Sequence, residues 1–155
     1  MSLQFLFGER PLPYFKLPDA HGREIVSWDF RQRKPLVVAF VHDNSCATCH
    51  AWSANAARLG ENIRQCGGEL LVIMPLRTTE ISTQQDHARQ LLADPHGALL
   101  AKLHAAGFAH TNTPLLIVDR YGEIAEVYES ARPHAFPSEE KILEALEFVE
   151  RQCPE

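Results

Sequence analysis

The feature that most constrains the fold of this chain is an apolar strand that runs into a pair of cysteines. Residues 36–41 are all apolar and rich in Val, which predicts an interior strand covered on both faces. A short polar segment follows, and Cys46 and Cys49 then stand at the start of an Ala-rich stretch, 47–65, that predicts a helix. The sequence therefore places a Cys-x-x-Cys pair where a strand turns into a helix.

This position has a direct consequence for the two thiols. The free N–H groups and the positive dipole end of a helix stabilise an anion. A cysteine at such a helix start can have its pKa lowered from about 8.5 to between about 3.5 and 7.5, so that a thiolate is present at neutral pH. Because Cys46 and Cys49 are three apart, their sulfurs can close a small disulfide ring. The stretch predicts a two-electron thiol–disulfide couple.

Predicted strands and helices surround this stretch on both sides. Gly22 marks the turn of an N-terminal β-hairpin, and a strand at 69–74 completes a βαβ unit with parallel pairing. The remaining predicted elements are helices at 79–92 and 98–106, a buried strand at 114–119, a hairpin strand at 124–129 and a closing helix after Ser138 with Ile142, Leu143, Leu146 and Val149 inward. The length and this order predict one α/β domain over residues 1–155.

Charge and composition exclude several classes of partner. The formal net charge is −5 and the sequence has no long Lys/Arg cluster, which argues against nucleic acid or an anionic membrane as a principal partner. Residues 1–13 lack the pattern of a secretory leader, and no apolar run approaches membrane-spanning length. We therefore expect a cytoplasmic protein, in which Cys66 is a buried thiol near a helix end and Cys153 a tail thiol.

The element order resembles the thioredoxin-like fold, a central mixed β-sheet flanked by helices, here with an N-terminal β-hairpin extension. More specifically, the chain is similar to the alkyl hydroperoxide reductase/thiol-specific antioxidant (peroxiredoxin-like) family. The residues that carry this resemblance are Phe40, Cys46, Cys49, Asp94-Pro95 with Gly97, Thr113-Pro114, and the turn from Asp119 to Gly122. The resemblance implies that the Thr113–Pro114 bond is cis, lies against the cysteines and presents backbone to the substrate.

The same resemblance implies two alternative chemistries. In the oxidoreductase pattern, Cys46 attacks a substrate disulfide and Cys49 resolves the mixed disulfide. In the peroxiredoxin pattern, Pro-x-x-x-Thr-x-x-Cys, Cys49 is the peroxidatic thiol, but His42 and Cys46 stand where that motif has Pro and Thr. Thr113-Pro114 also stands where peroxiredoxins carry an arginine. These departures favour a thiol–disulfide oxidoreductase, with a protein or small-molecule disulfide (or peroxide) as substrate and a thiol reductant as partner.

Several other interpretations of the cysteine pair stay open. With His50 the pair satisfies Cys-x-x-Cys-His, the attachment motif of c-type haem, and a zinc ion would need a second ligand pair that the spacing does not supply. We expect neither a metal nor another cofactor. A divergent peroxidase using Cys49 and a non-enzymatic redox sensor or binding domain are the alternatives to the oxidoreductase.

Because peroxiredoxin relatives often dimerise, a homodimer is an expected assembly. His42 and His50 are candidate proton donors, Trp52 is predicted in the core, and Tyr128 on a solvated face.

Overall fold

The computed structural model describes residues 10–19, 21–41, 56–78, 91–129 and 136–151. In chain order, its elements are β1 (Lys16–Pro18), β2 (Glu24–Val26), a 3-10 helix (Ser27–Phe30), β3 (Leu36–Phe40), α1 (Ala56–Gln65), β4 (Glu69–Met74), β5 (Leu91–Ala93), α2 (Ala98–Ala105), β6 (Leu115–Val118), β7 (Ile124–Tyr128) and α3 (Glu139–Arg151). Alternating strands and helices of this kind form an α/β fold.

The central sheet is mixed and has the strand order β5-β4-β3-β6-β7. Strand β3 pairs in parallel with β4, and β4 with β5. On the other side of β3, strands β6 and β7 continue the sheet with antiparallel pairing. Strands β1 and β2 form a separate antiparallel hairpin, whose turn includes Gly22 at φ 83°. The mixed sheet, the hairpin and the parallel β3–α1–β4 unit are confirmed.

Each face of the sheet carries its own apolar core, because successive residues of a strand point to opposite faces. In β3, Val37 and Ala39 belong to the core under α1 and α3. Leu36 and Val38 belong to the core under α2 and the segment before β1. All five residues of β3 are buried, which agrees with the strand predicted from its unbroken apolar character.

Strand β5 corrects the predicted helix at 79–92. Residues 79–90 lie outside the described part of the chain, but Leu91 and Leu92, expected on a helix face, pair in parallel with Val72 and Ile73 of β4. Both leucines are buried, one in each core. A run of three apolar residues is too short to show a period, so the sequence did not distinguish a strand from a helix end.

The second strand of the hairpin, β2, ends at Val26. Ser27 and Trp28 lie in the 3-10 helix and not in β2. The physical reason is the buried side chain of Ser27, whose Oγ accepts a hydrogen bond from the Phe15 N–H at 3.0 Å while the Ser27 N–H donates to the Phe15 carbonyl at 3.0 Å. These two hydrogen bonds join the residue before β1 to the residue after β2, and the chain turns into the 3-10 helix at that point.

The Asp94 side chain caps the start of α2. Its buried carboxylate accepts hydrogen bonds from the N–H groups of Ala98 at 3.1 Å and Leu99 at 3.0 Å. We expect Asp94→Ala to lower the free energy of unfolding by about 1–3 kcal/mol, because it leaves these two donors without their acceptor.

Urea unfolding followed by circular dichroism measures this loss. Asp94→Asn is the matched control, since its amide oxygen still accepts one of the two bonds, and we expect it to lose less. Equal losses in the two variants would contradict the capping role of the carboxylate oxygens.

Candidate active site

The described residues flank the predicted redox segment on both sides along the chain. Residues 42–55 lie outside the described part. They include both predicted redox thiols and the predicted neighbours: Cys46, Cys49, His42, His50 and Trp52. The segment leaves β3 at Val41, whose N–H donates to the Ile73 carbonyl at 3.1 Å, and rejoins the described chain at Ala56.

Thr113 and Pro114 lie beside the end of β3 from which this segment leaves. The Phe40 N–H donates to the Pro114 carbonyl at 3.1 Å, and the next residue along, Leu115, pairs with Ala39 in the antiparallel β3–β6 ladder. Pro114 is buried and Thr113 partly exposed. The tertiary structure therefore brings the predicted substrate-binding pair next to the strand end that precedes the cysteines.

The peptide bond between Thr113 and Pro114 is not cis as the resemblance implied. The described residues contain no cis peptide bond, so this bond is trans. The trans isomer is the one an X–Pro bond prefers by about 0.5–1 kcal/mol. The hydrogen bond from the Phe40 N–H to the Pro114 carbonyl extends the β3–β6 ladder by one residue, so Pro114 continues the interior strand β6 at its N-terminal end.

Glu129 fixes the loop that leads into Thr113. Its Oε1 accepts three hydrogen bonds, from the His110 N–H at 2.8 Å, the Thr111 N–H at 2.7 Å and the Thr111 hydroxyl at 2.8 Å. The ring nitrogen Nε2 of His104 lies 2.8 Å from the Thr111 carbonyl oxygen. Thr111 is thus held on its N–H, its hydroxyl and its carbonyl, two residues before Thr113.

The three bonds favour the charged form of Glu129. Burial by itself raises the pKa of the carboxyl, but the hydrogen bonds from His110 and Thr111, with the charge of His110, outweigh it and lower the pKa below its ordinary value of 4.5. Because the pKa is lower in the fold, the carboxylate stabilises the fold at neutral pH. That contribution is lost as the pH falls from 4.5 through the folded pKa.

Replacing Glu129 by Gln should lower the free energy of unfolding by about 1 kcal/mol at neutral pH, because Gln accepts hydrogen bonds without the negative charge. The difference from the wild type should shrink as the pH falls below 4.5. Urea unfolding at a series of pH values from 7 downwards measures it. Glu144→Gln, an exposed carboxylate on α3, is the matched control and should cost almost nothing. A difference that stays constant with pH would contradict the role of the charge.

A pocket of about 180 Å³ opens beside the same strand end. Its walls come from the ends of β3 and β4, the start of α2 and the loop before Pro114: Phe40, Val41, Ile73, Pro75, Asp94, Gly97, Leu100 and Asn112. Most of this lining is apolar, and the Asp94 carboxylate already accepts the N–H groups of α2. The pocket can therefore hold an apolar part of a substrate close to Val41, where the cysteine segment begins.

Tyr128 lies opposite Leu115 in the β6–β7 pairing, and it is not on a fully solvated face as predicted. Its ring is half-buried against the core under α1 and α3. Burial, followed by a hydrogen bond to Glu126 and the charge of that carboxylate, raises the pKa of Tyr128 to about 12. Tyr128 is therefore neutral at physiological pH and is unsuited to act as a base near the site.

Cys66 is exposed and not buried as predicted. It lies in the turn after α1, where its N–H donates to the Ile63 carbonyl at 3.0 Å. At this turn the chain packs inward through Gly68, at which an added Cβ would lie 3.0 Å from the Leu146 side chain. The glycine therefore occupies the inward position, and Cys66 stays at the surface. Cys153 lies outside the described residues.

The described part of the chain contains neither a metal-binding cluster nor a membrane-spanning helix. No group of three or more His, Cys, Asp or Glu side chains there is arranged to hold a metal ion. Among the helices in those same ranges, none has the length and apolar character needed to cross a bilayer.

The mixed five-stranded sheet, its β3–α1–β4 unit and the helices on both faces define a thioredoxin-like α/β protein. Solved structures with this fold superpose on the chain. They include the mitochondrial 2-Cys peroxiredoxin from Plasmodium falciparum, with a TM-score of 0.76 at 11% identity, covering 92% of this chain and 93% of that one. Thio-disulfide isomerase from Thermus thermophilus has a TM-score of 0.65 at 21% identity, covering 90% and 94%. Peroxidoxin BcpB from Mycobacterium tuberculosis has a TM-score of 0.67 at 15% identity, covering 94% and 96%.

The sequence itself identifies the family. The family model AhpC/TSA matches residues 9–136, and the chain belongs to the AhpC/TSA family. No curated protein matches the chain by sequence. The family match confirms the resemblance stated above, and the superpositions confirm the thioredoxin-like fold. Membership of this family indicates an oxidoreductase.

Sequence reasoning assigned no structural role at this site to Glu129 or to Asp94, although Asp94 is among the residues that carry the family resemblance. Asp94 had a usable signal, because an acidic residue shortly before a helix commonly accepts its first N–H groups. Glu129 had none, because its partner Thr111 is 18 residues away along the chain and the contact depends on how β7 pairs with β6.

Proposed function

We propose that this protein is a thiol–disulfide oxidoreductase in which Cys46 is the nucleophile and Cys49 the resolving thiol. The observation that carries the proposal is the hydrogen bond from the Phe40 N–H to the Pro114 carbonyl. This bond lies at the strand end that precedes both cysteines in the chain, and it supports a role for the Thr113–Pro114 backbone in receiving the substrate.

The proposed reaction is two successive exchanges. The Cys46 thiolate attacks one sulfur of the substrate disulfide, forming a mixed disulfide and releasing the first substrate thiolate. The Cys49 thiolate then attacks the Cys46 sulfur and releases the second substrate thiolate. The substrate gains two electrons and two protons as two thiols, and the protein is left with a Cys46–Cys49 disulfide. An external thiol reductant returns both cysteines to the reduced form.

The pocket and the loop beside β3 supply the proposed substrate site. The apolar lining around Phe40 and Leu100 suits an apolar group next to the scissile disulfide. The backbone at Thr113 is positioned by the bonds that Glu129 makes to the preceding residues. This arrangement accommodates a small-molecule disulfide or a short stretch of an extended polypeptide.

A peroxidase is the second candidate, and the family match together with the peroxiredoxin neighbours favours it. In this alternative the Cys49 thiolate attacks a peroxide oxygen, forming a sulfenic acid and releasing water or an alcohol. A second thiol then condenses with the sulfenic acid and releases water. The same thiol reductant completes the cycle, and a homodimer is the proposed assembly, which sedimentation velocity would test.

Single-turnover stopped-flow separates the two functions. The reduced protein is mixed with hydrogen peroxide or, separately, with a small aromatic disulfide whose released thiolate absorbs light. We expect rapid, stoichiometric release of thiolate and a much slower reaction with peroxide. A peroxide reaction that is far faster than the disulfide reaction would replace the proposal by the peroxidase. Failure of both reactions with the Cys46–Cys49 pair intact would indicate the redox sensor.

A further inference from the structure

A second pocket, of about 280 Å³, lies at the opposite end of the sheet from the candidate active site. Leu36, at the start of β3, and Val118, at the end of β6, form part of its lining. The active-site neighbours Phe40 and Pro114 are at the other ends of these two strand segments. The two pockets share no lining residue, so this one is distinct from the proposed redox site.

Exposed aromatic side chains concentrate around this pocket. Among the described residues, four large hydrophobic side chains are exposed, and three of them line it: Tyr14 at 42%, Trp28 at 56% and Tyr121 at 44%. The rings of Tyr14 and Trp28 are in edge contact, with centroids 5.1 Å apart and planes at 75°. A cluster of aromatic rings left open to solvent around a concave surface is typical of a binding site.

The Arg31 side chain lines this pocket, and its guanidinium N–H groups are available to donate hydrogen bonds to a ligand. Its guanidinium carbon lies 5.4 Å from the Trp28 ring centroid. Its side chain passes so close to Gly122 that an added Cβ there would lie 3.3 Å from Nε. Within the described ranges the guanidinium has no hydrogen bond or ion pair. The next residue, Gln32, holds a left-handed φ of 62°, a costly conformation for a side-chain residue.

The other charged side chains of the lining are already engaged. Lys34 pairs with Glu69 at 3.2 Å. Asp119 Oδ1 accepts the N–H groups of Tyr121 and Glu123 at 2.9 and 3.0 Å, and Glu123 Oε1 accepts the Arg10 N–H at 2.9 Å. Arg31 is therefore the charged group best placed to receive a ligand from solvent.

We propose that this pocket binds a small single-ring aromatic carboxylate. The ring would pack against Tyr14 and Trp28, and the carboxylate would accept paired hydrogen bonds from the Arg31 guanidinium, whose planar fork matches it. The pocket volume of about 280 Å³ is at the lower limit of ligand pockets, about 300–1,000 Å³, which favours one ring over a larger molecule. This inference is independent of the proposed redox function.

Isothermal titration of the full-length reduced protein with benzoate tests the proposal. Benzamide, which has the same shape without the charge, and cyclohexanecarboxylate, which has the charge without the aromatic ring, are the matched ligands. We expect saturable binding of benzoate and weaker binding of both analogues. Arg31→Gln should weaken benzoate binding at least about tenfold, because it removes a charged hydrogen-bonding partner. Trp28→Ala should also weaken it.

Arg33→Gln is the matched control variant, since Arg33 does not line the pocket and its side chain donates to the Asp29 carbonyl at 3.3 Å. It should bind benzoate as the wild type does, and so should Cys46→Ser. All variants are checked for folding by thermal melts. The proposal is overturned if benzoate shows no saturable binding, if benzamide binds as tightly, or if Arg31→Gln and Arg33→Gln bind benzoate equally.

Discussion

Replacing Cys46 by Ser should slow the release of thiolate from a small disulfide at least about a thousandfold, because a serine hydroxyl is not ionised at neutral pH and the nucleophile is lost. Cys49→Ser should behave differently. It should release the first thiolate at nearly the wild-type rate and then stop, because no thiol remains to resolve the mixed disulfide. Stopped-flow absorbance measures the first step, and mass spectrometry of the quenched reaction detects the adduct on Cys46.

The exposed Cys66 provides the matched control for these variants. Cys66→Ser removes an accessible thiol that lies in the turn after the C-terminal end of α1, ten residues beyond Ala56. We expect it to leave the fast phase unchanged. If Cys49→Ser is instead the inactive variant, and peroxide reacts far faster than disulfide, then the nucleophile is Cys49 and the protein is a peroxidase.

Leu71→Ala should lower the free energy of unfolding by about 2–5 kcal/mol and the melting temperature by roughly 5–15 °C. Leu71 is 0% exposed in β4, lies opposite Val38 of β3 and belongs to the core under α2. Removing its branched end leaves a cavity that surrounding side chains fill only in part. Calorimetry and urea unfolding measure the loss.

Leu143→Ala, on the partly exposed flank of α3, makes the same change of side chain at a less enclosed position. We expect it to cost less than half as much. Because Leu71 does not line the pocket beside the candidate active site, the Leu71→Ala protein should keep its single-turnover rate at temperatures where it is folded. A similar loss in both variants would show that enclosure at Leu71 does not determine the cost.

Much of the fold was predictable because its signals are local. The unbroken apolar character of 36–41 indicated a strand buried on both faces, and the glycines at 67 and 68 marked the end of α1. Local signals failed where the element was very short. Leu91 and Leu92 form a strand because they pair with the free edge of β4. A local stretch of sequence contains no information about that pairing.

The candidate site likewise combines features predicted from the sequence with features that only the tertiary structure determines. From the sequence, residue type and spacing predicted Cys46 and Cys49 as a redox pair, and the family resemblance implied that Thr113–Pro114 receives the substrate. Only the tertiary structure decided that Pro114 lies beside Phe40 in the trans form, that Glu129 holds the loop at Thr111, and that Cys66 is exposed. The first two features depend on the register between β3, β6 and β7, which joins segments far apart in the chain, whereas the exposure of Cys66 depends on how the turn after α1 packs through Gly68. Local periodicity contains no information about that register, because a strand's apolar pattern specifies which face is buried but not which partner residue lies opposite.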